Sequence, residues 1–226
     1  MCGYTGQMQQ RSVETRQLLM EATIDCIREM GYHRASTNEI VRRAGLSRGA
    51  MLHHYPTKHD LLVAAFGWVH EEISADIETR FKQAETDGTE WIDLLDEIMA
   101  RYFQGRSWEA FVEIIVAGRT DLMLRDRLRP IVCDYYDHID RIWQTYFTTD
   151  IVGNDVANLI NLSLCVVRGM AFQMLIRDDP VYYDGMMQQW KAMIAPLVQK
   201  KSFTPTEGTP RTRKDKVLSI SINKNL

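Results

Sequence analysis

"AGLSRGAMLHHYPTK", residues 44–58, is the stretch on which the fold turns. It holds two glycines (Gly45, Gly49), two adjacent histidines (His53, His54) and a proline, Pro56. Such a segment builds one short helix at most. Ser47 is a suitable N-cap for it, and Pro56 closes it by disfavouring the α conformation at Tyr55. A helix that short cannot bury much, so its use lies on its outer face. Just upstream, "STNEIVRRAG" makes a second short helix: Ser36 or Thr37 is its N-cap, Glu39 follows Ser36 at capping-box spacing, and Gly45 ends it. A longer helix precedes both over about 13–30, where Leu19, Ala22, Cys26, Ile27 and Met30 form one stripe and Gly31 supplies the stop.

Three helices in this order, the last two joined by a tight Gly45–Leu46 turn, match the helix-turn-helix layout. Ile40, Ala44, Leu46 and Met51 then point back onto the first helix, which leaves Ser47, Arg48, Ala50 and His53 outward. Gly49 carries no side chain to hold a neighbouring surface away. Arginine can bond a guanine edge bidentately, serine can serve several bases, and alanine can touch a thymine methyl. Helix N-termini favour phosphate, so the capped starts at Thr37 and Thr57 are natural backbone clamps, with Lys58 beside the second. Arg42 and Arg43 are further backbone candidates, although an exposed arginine is more often merely solvated.

Thr57 also opens a long fourth helix over about 58–83, with the stripe Leu62, Phe66, Val69, Ile73, Ile77 and then Phe81. At about 1.5 Å per residue it spans close to 40 Å. Further helices are expected at about 90–104, 107–118, 122–147 (with Pro130 early in it or kinking it), 155–177 and 181–199. The fold class is therefore all-α. An N-terminal three-helix helix-turn-helix domain (12–58) is joined by the fourth helix to a C-terminal helical ligand-binding and dimerisation bundle (59–200). Residues 201–226 read as a basic disordered tail, in which "VLSISI" alternates like a strand with nothing to pair with.

Charge follows the same division. Residues 1–60 carry +2, residues 61–199 carry −10 and residues 200–226 carry +5, for −3 overall. A near-neutral head able to approach a polyanion is mounted on an acidic body that cannot. The acidity of the body also admits a cationic lipophile as a ligand, although charge runs usually mark solvated faces. No Gly-rich phosphate loop and no strand–helix alternation occur, which excludes a sheet-based nucleotide enzyme. No Glu-x-x-His pair suits a di-iron bundle, and the adjacent His53 and His54 suit one zinc ion poorly. No metal and no cofactor are expected. Cys2, Cys26, Cys133 and Cys165 lie far apart, three of them in apolar helical patterns, and read as buried small hydrophobes. With no signal-type start and no stretch of about 18 apolar residues, the expected location is cytoplasmic, without a membrane partner.

"STNEIVRRAGLSRGAMLHHYPTKHDLL" resembles the DNA-binding segment of the TetR/AcrR family of transcriptional regulators. Thr37, Ile40, Ala44, Gly45, Leu46, Ser47, Gly49, His54, Tyr55, Lys58 and Leu61 carry the resemblance, which covers about residues 15–62. One departure stands out: Leu52 occupies the position of a tyrosine that often contacts phosphate in the family, and leucine cannot donate that bond. The resemblance implies phosphate contacts at Thr37, His54 and Lys58. Base reading falls by position on Asn38, Ser47, Arg48, Ala50 and His53, with Gly49 at the closest approach. It further implies a ligand-responsive repressor that binds a palindromic operator in double-stranded DNA as a homodimer and answers a small-molecule effector. The alternatives are an effector-independent helical DNA-binding protein, or a helical enzyme or adaptor without DNA binding.

Two regions serve those further roles. The last two helices carry more apolar surface than one monomer can hide, and Met170, Met174, Met187, Trp190 and Ile194 are the candidates for a dimer interface. The middle helices are rich in aromatic side chains. A ligand cavity is lined this way, and so is a solid core, but the resemblance favours a cavity. Phe103, Phe111, Trp143 and Phe172 are candidate lining residues. Glu113 and Arg168, polar residues inside apolar runs, would pair with each other, pair with Asp134, or hold a ligand's polar group.

Overall fold

The structure, a computed structural model, describes residues 3–151 and 155–201. Among them are nine α-helices: α1 (Gly3–Arg34), α2 (Thr37–Arg43), α3 (Arg48–His54), α4 (Lys58–Asp87), α5 (Leu94–Tyr102), α6 (Arg106–Gly118), α7 (Leu122–Tyr146), α8 (Val156–Met174) and α9 (Pro180–Ile194). The all-α expectation is met, and so is the order of the helices. Several ends differ for local reasons. α1 starts at Gly3, ahead of the expected start near residue 13, in a polar extension where Gln10 bonds Glu14 across one turn (3.1 Å). Its geometry breaks at Gly31, where φ is +75°. α4 runs on to Asp87, because its stop is Gly88 in the left-handed region. α9 ends at Ile194, and Pro196 lies in the single 3₁₀ turn that follows, Ala195–Leu197. Beyond that turn, β2 (Gln199–Lys200) pairs antiparallel with β1 (Phe147–Thr148), Phe147 opposite Lys200. Two-residue strands leave no alternation to read. The tail expected over 201–226, apart from Lys201, lies outside the described residues, as does Cys2.

Two hydrophobic clusters hold the helices together. The first packs Leu19 and Ile27 of α1, Ile40 of α2, Met51 of α3 and Leu62 and Phe66 of α4 with Ala110 and Ile114 of α6 and Leu124 and Leu128 of α7. The core beneath the helix-turn-helix thus runs straight through the boundary expected at 58/59. The second gathers the far half of α4 with α5 to α9 around Trp143. Trp143 was expected at a cavity. It is 0% exposed, and its Nε1 donates to Asn161 Oδ1 (3.2 Å), so it is a satisfied core residue. Met170, Met187 and Ile194, expected at a dimer interface, are likewise buried inside this cluster and unavailable to a partner.

Lys191, also in α9, is buried yet doubly paired, to Asp93 (2.9 Å) and Asp96 (2.7 Å), which pins α9 to the start of α5. Cys26 is buried as expected, whereas Cys133 and Cys165 sit on outward faces of α7 and α8 and are exposed. α8 is long and apolar enough by composition to cross a membrane, an exception to the expectation above. Here it packs Val156, Ile160, Leu164 and Val167 into the second cluster.

His70 of α4 is the buried titratable group between the clusters. Its Nδ1–H donates to the Phe66 carbonyl (2.8 Å), and burial pushes its pKa below the ordinary histidine value. A lowered folded-state pKa means that the unfolded chain binds the extra proton first. The contribution to stability is therefore complete above about pH 6.5 and is lost as pH falls through the folded value. Melting temperature should drop between pH 7 and pH 5.5, and the drop should be smaller in His70→Gln. Equal slopes in the two proteins would show that His70 is not the group responsible.

Candidate nucleic-acid interface

The turn between α2 and α3 is built by backbone chemistry. Gly45 sits at φ +66°, its N–H donating to the Arg42 carbonyl (3.3 Å), while the Leu46 N–H reaches the Val41 carbonyl (3.0 Å). That pair of bonds satisfies the last carbonyls of α2 and redirects the chain, and only glycine takes the conformation without strain. Ser47 then caps α3, its side chain accepting from the Ala50 N–H (3.1 Å). At α2 the cap is Ser36, which accepts from the Glu39 N–H (3.2 Å), and Thr37 is the first helical residue. The Glu39 carboxylate turns to Arg42 (2.6 Å) and Arg43 (3.0 Å). A reciprocal capping box forms instead at the start of α4, between Thr57 and Asp60.

α3 buries one side chain, Met51, at 1% exposure. Ser47, Arg48, Gly49 and His53 are exposed along its outer side and Ala50 is half-buried. Asn38, exposed on α2, joins them, its Oδ1 lying 3.5 Å from Arg48 Nη1. A Cβ added at Gly49 would meet only Ser47 Oγ at 3.8 Å, so the outer surface is open there. Thr37 and His54 are half-buried at the two edges. Burial, with His53 and Arg16 nearby, holds the His54 pKa below its usual value. Leu52 is 41% exposed and brings no donor.

Lys58 departs from expectation. Its Nζ donates to the Tyr32 carbonyl (2.5 Å) and lies 4.4 Å from the centre of the Tyr32 ring, so it fastens α4 to α1 and is not held out toward a phosphate. Arg42 and Arg43 remain near the face. The Arg42 guanidinium is largely exposed and its pair with Glu39 therefore weak, so a phosphate can compete for it, whereas Arg43 is half-buried and held between Glu39 and Glu29 (2.7 Å). The Glu39 carboxyl is held at about 2 by hydrogen bonds from Arg42 and then Arg43.

Behind the face, Asp121 at the head of α7 ties the two regions. One of its oxygens takes the Tyr32 hydroxyl (2.5 Å) and His59 Nε2 (2.8 Å), while the other caps α7 through the Leu124 N–H (3.0 Å). These bonds, the Tyr32 hydroxyl first, hold the Asp121 pKa well below the carboxylate range. Sequence reading missed this junction, because its members lie 62 and 89 residues apart.

Farther along α4 a narrow cavity of about 40 Å³ opens between α4, α5, α6, α7 and α8. Phe103, Phe111 and Arg168 line it as expected, together with Val69, His70, Ile73 and Ile77 of α4, Tyr102, Trp108 and Tyr135. Glu113 is elsewhere: it is exposed on α6, and its Oε2 accepts from the Tyr32 N–H (3.3 Å). Phe172 is 55% exposed on α8 and faces away from the cavity's lining.

A capped seven-residue helix with a bare polar face, braced by two others on an all-helical body, defines a helix-turn-helix DNA-binding protein. Residues 19–65 match the family of bacterial regulatory proteins, tetR family. The regulator CymR of Pseudomonas putida is 28% identical over 171 residues, covering 75% of this chain and 84% of its own length. An HTH-type transcriptional regulator of Mycobacterium tuberculosis is 34% identical over 133 residues, covering 56% of this chain and 65% of its own. The solved structure of the regulator FadR from Bacillus subtilis, in complex with stearoyl-CoA, shares the fold. Its TM-score is 0.57 at 18% identity, with 79% of this chain and 96% of that one aligned. Residues 19–65 thus carry the segment that the tetR family of bacterial regulatory proteins shares, and the chain is similar over most of its length to a transcriptional regulator.

Arg48→Ala should weaken binding to a selected duplex by roughly 1–3 kcal/mol and relax preference at one base position. A gel-shift series on single-base variants of that duplex measures both. An equal loss on every sequence would make Arg48 a phosphate contact and not a base reader.

Proposed function

We propose that the chain is a repressor that binds a palindromic operator as a homodimer in the cytoplasm and releases it when a small molecule occupies the cavity on α4. The observation that carries this reading is the double use of α4. Val69, His70, Ile73 and Ile77 form one wall of the cavity, and Lys58, the first residue of the same helix, is bonded to α1 of the reading head. A cavity of about 40 Å³ is far smaller than usual ligand pockets, so an occupant must spread its walls. Phe66 stacks on Phe111 (5.4 Å) and Phe111 on Trp108 (5.5 Å), which links those walls to the core under α3. Reversing occupancy of the binding-competent state from 99:1 to 1:99 needs about 5.5 kcal/mol of differential affinity. FadR's complex with stearoyl-CoA supports the idea that this fold can open around a ligand.

The partner in this reading is a second copy, seated on the outer faces of α8 and α9. The interface differs from that first expected, since Met174 and Trp190 are only half-exposed and three other candidates are buried. Leu162, Phe172 and Met193 are exposed instead, and Gly169 and Gly185 have open space where a side chain would stand. Bare glycines among apolar residues let two helix pairs approach closely. A two-fold arrangement would set the two copies of α3 about 34–36 Å apart, one turn of DNA.

Light scattering on the purified chain should give twice the chain mass, and Phe172→Glu should give the single mass and lose most of its operator affinity. Affinity of the unaltered protein should fall steeply with salt, roughly a thousandfold between 50 and 200 mM. A monomer that binds its operator as tightly as the unaltered protein does would refute the two-fold reading.

A further inference from the structure

The cavity on α4 has an electrical sign. Its lining is apolar and aromatic apart from a few polar groups, and Arg168 of α8 is its one charged side chain. The guanidinium lies over the rings of Phe103 (5.5 Å) and Tyr136 (5.4 Å) and donates to the Tyr136 hydroxyl (2.7 Å). The Tyr135 hydroxyl is also within its hydrogen-bonding reach. Both acceptors are neutral, and among the described residues Arg168 has no carboxylate at ion-pairing distance. A guanidinium carries five N–H donors, so this one keeps donors and a full charge to spare. A second donor waits beside it. Trp108, 6% exposed, lines the same cavity and packs on Phe103 (5.2 Å), and its buried Nε1–H has no hydrogen-bond partner among the described residues. His70 adds no negative charge, its Nδ1–H being committed to Phe66. The acidity of the body, which admitted a cationic ligand, is therefore absent from the lining. There the sign is reversed.

We propose that this cavity takes a small carboxylate with an aromatic or short apolar body, its head held by Arg168. This deepens the effector reading above and rests on it for its regulatory meaning. The planar guanidinium fork matches a carboxylate's two oxygens, which a neutral amide or a cation cannot reproduce. The body of the ligand would wedge between Trp108 and Phe111 and the α4 wall, which ties occupation to movement of α4.

Calorimetry on the full chain without DNA tests this with three probes of one shape: 3-phenylpropanoate, 3-phenylpropanamide and 3-phenylpropylammonium. The carboxylate should bind about tenfold or more tightly than either of the others. Arg168→Gln should bring carboxylate and amide to within about twofold, and Arg168→Lys, which restores the charge without the planar fork, should recover only part of the preference. Each ratio compares ligands on one protein sample, so partial unfolding of a variant does not distort it. Equal affinities for the three probes, a preference unchanged in Arg168→Gln, or no binding of any probe at millimolar concentration would overturn the proposal. Operator affinity measured with the same carboxylate separates the two readings. Preference for the anion without change in DNA binding would keep the site and remove its regulatory role, whereas release by all three probes alike would do the reverse.

Discussion

The reading helix cannot hold itself. α3 has seven residues and buries only Met51, far below the length at which a helix is stable in water. Its existence depends on four outside supports: the Gly45 closure, the Ser47 cap, the stop at Tyr55–Pro56, and the cluster into which Met51 inserts. Because the supports lie at the ends and the back, the front is left free of structural duty. Ser47, Arg48, Gly49 and His53 can then be chosen for what they touch outside the chain.

That cluster is shared, and the sharing has consequences. Leu19, Ile27, Ile40, Leu62 and Phe66 pack in one body with Ala110, Ile114, Leu124 and Leu128 of α6 and α7. The orientation of α3 is therefore a property of the whole chain and not of a separable head. Asp121 adds a polar tie at the same seam, and Lys58 closes it from the other side. A chain arranged this way can pass a small displacement of the cavity walls to the reading face through α4 and the Phe66–Phe111–Trp108 stack. Packed cores shift between discrete arrangements more readily than they deform smoothly.

Much of this was legible in the sequence where the signal is local. Caps, turn glycine and proline stop fix α2 and α3 nearly to the residue, and the 3.6-residue stripe fixes the start and course of α4 but not its end, which Gly88 sets. The outward placing of Ser47, Arg48 and His53 follows from the same periodicity, while Ala50, read with them, is half-buried. Long-range pairing was not legible. Nothing near Lys58 shows that its ammonium is spent on the Tyr32 carbonyl, and nothing near Asp121 points to Tyr32 or His59. The aromatic content of the middle helices could not separate Phe111, which lines the cavity, from Trp143, which fills the core, because both satisfy one helical period. The same ambiguity hid Met170 and Ile194 inside the bundle and left Leu162 and Met193 outside it. A helix with apolar residues on several faces does not say which face meets its own chain.

If α3 lies in a DNA major groove, methylation at guanine N7 must interfere with binding, since that atom faces only the major groove. On a duplex selected by the unaltered protein, interference should fall in two clusters about one helical turn apart, and Arg48→Ala should erase the same guanine from each. Interference scattered evenly along the duplex, or none at N7 while binding persists, would contradict the account.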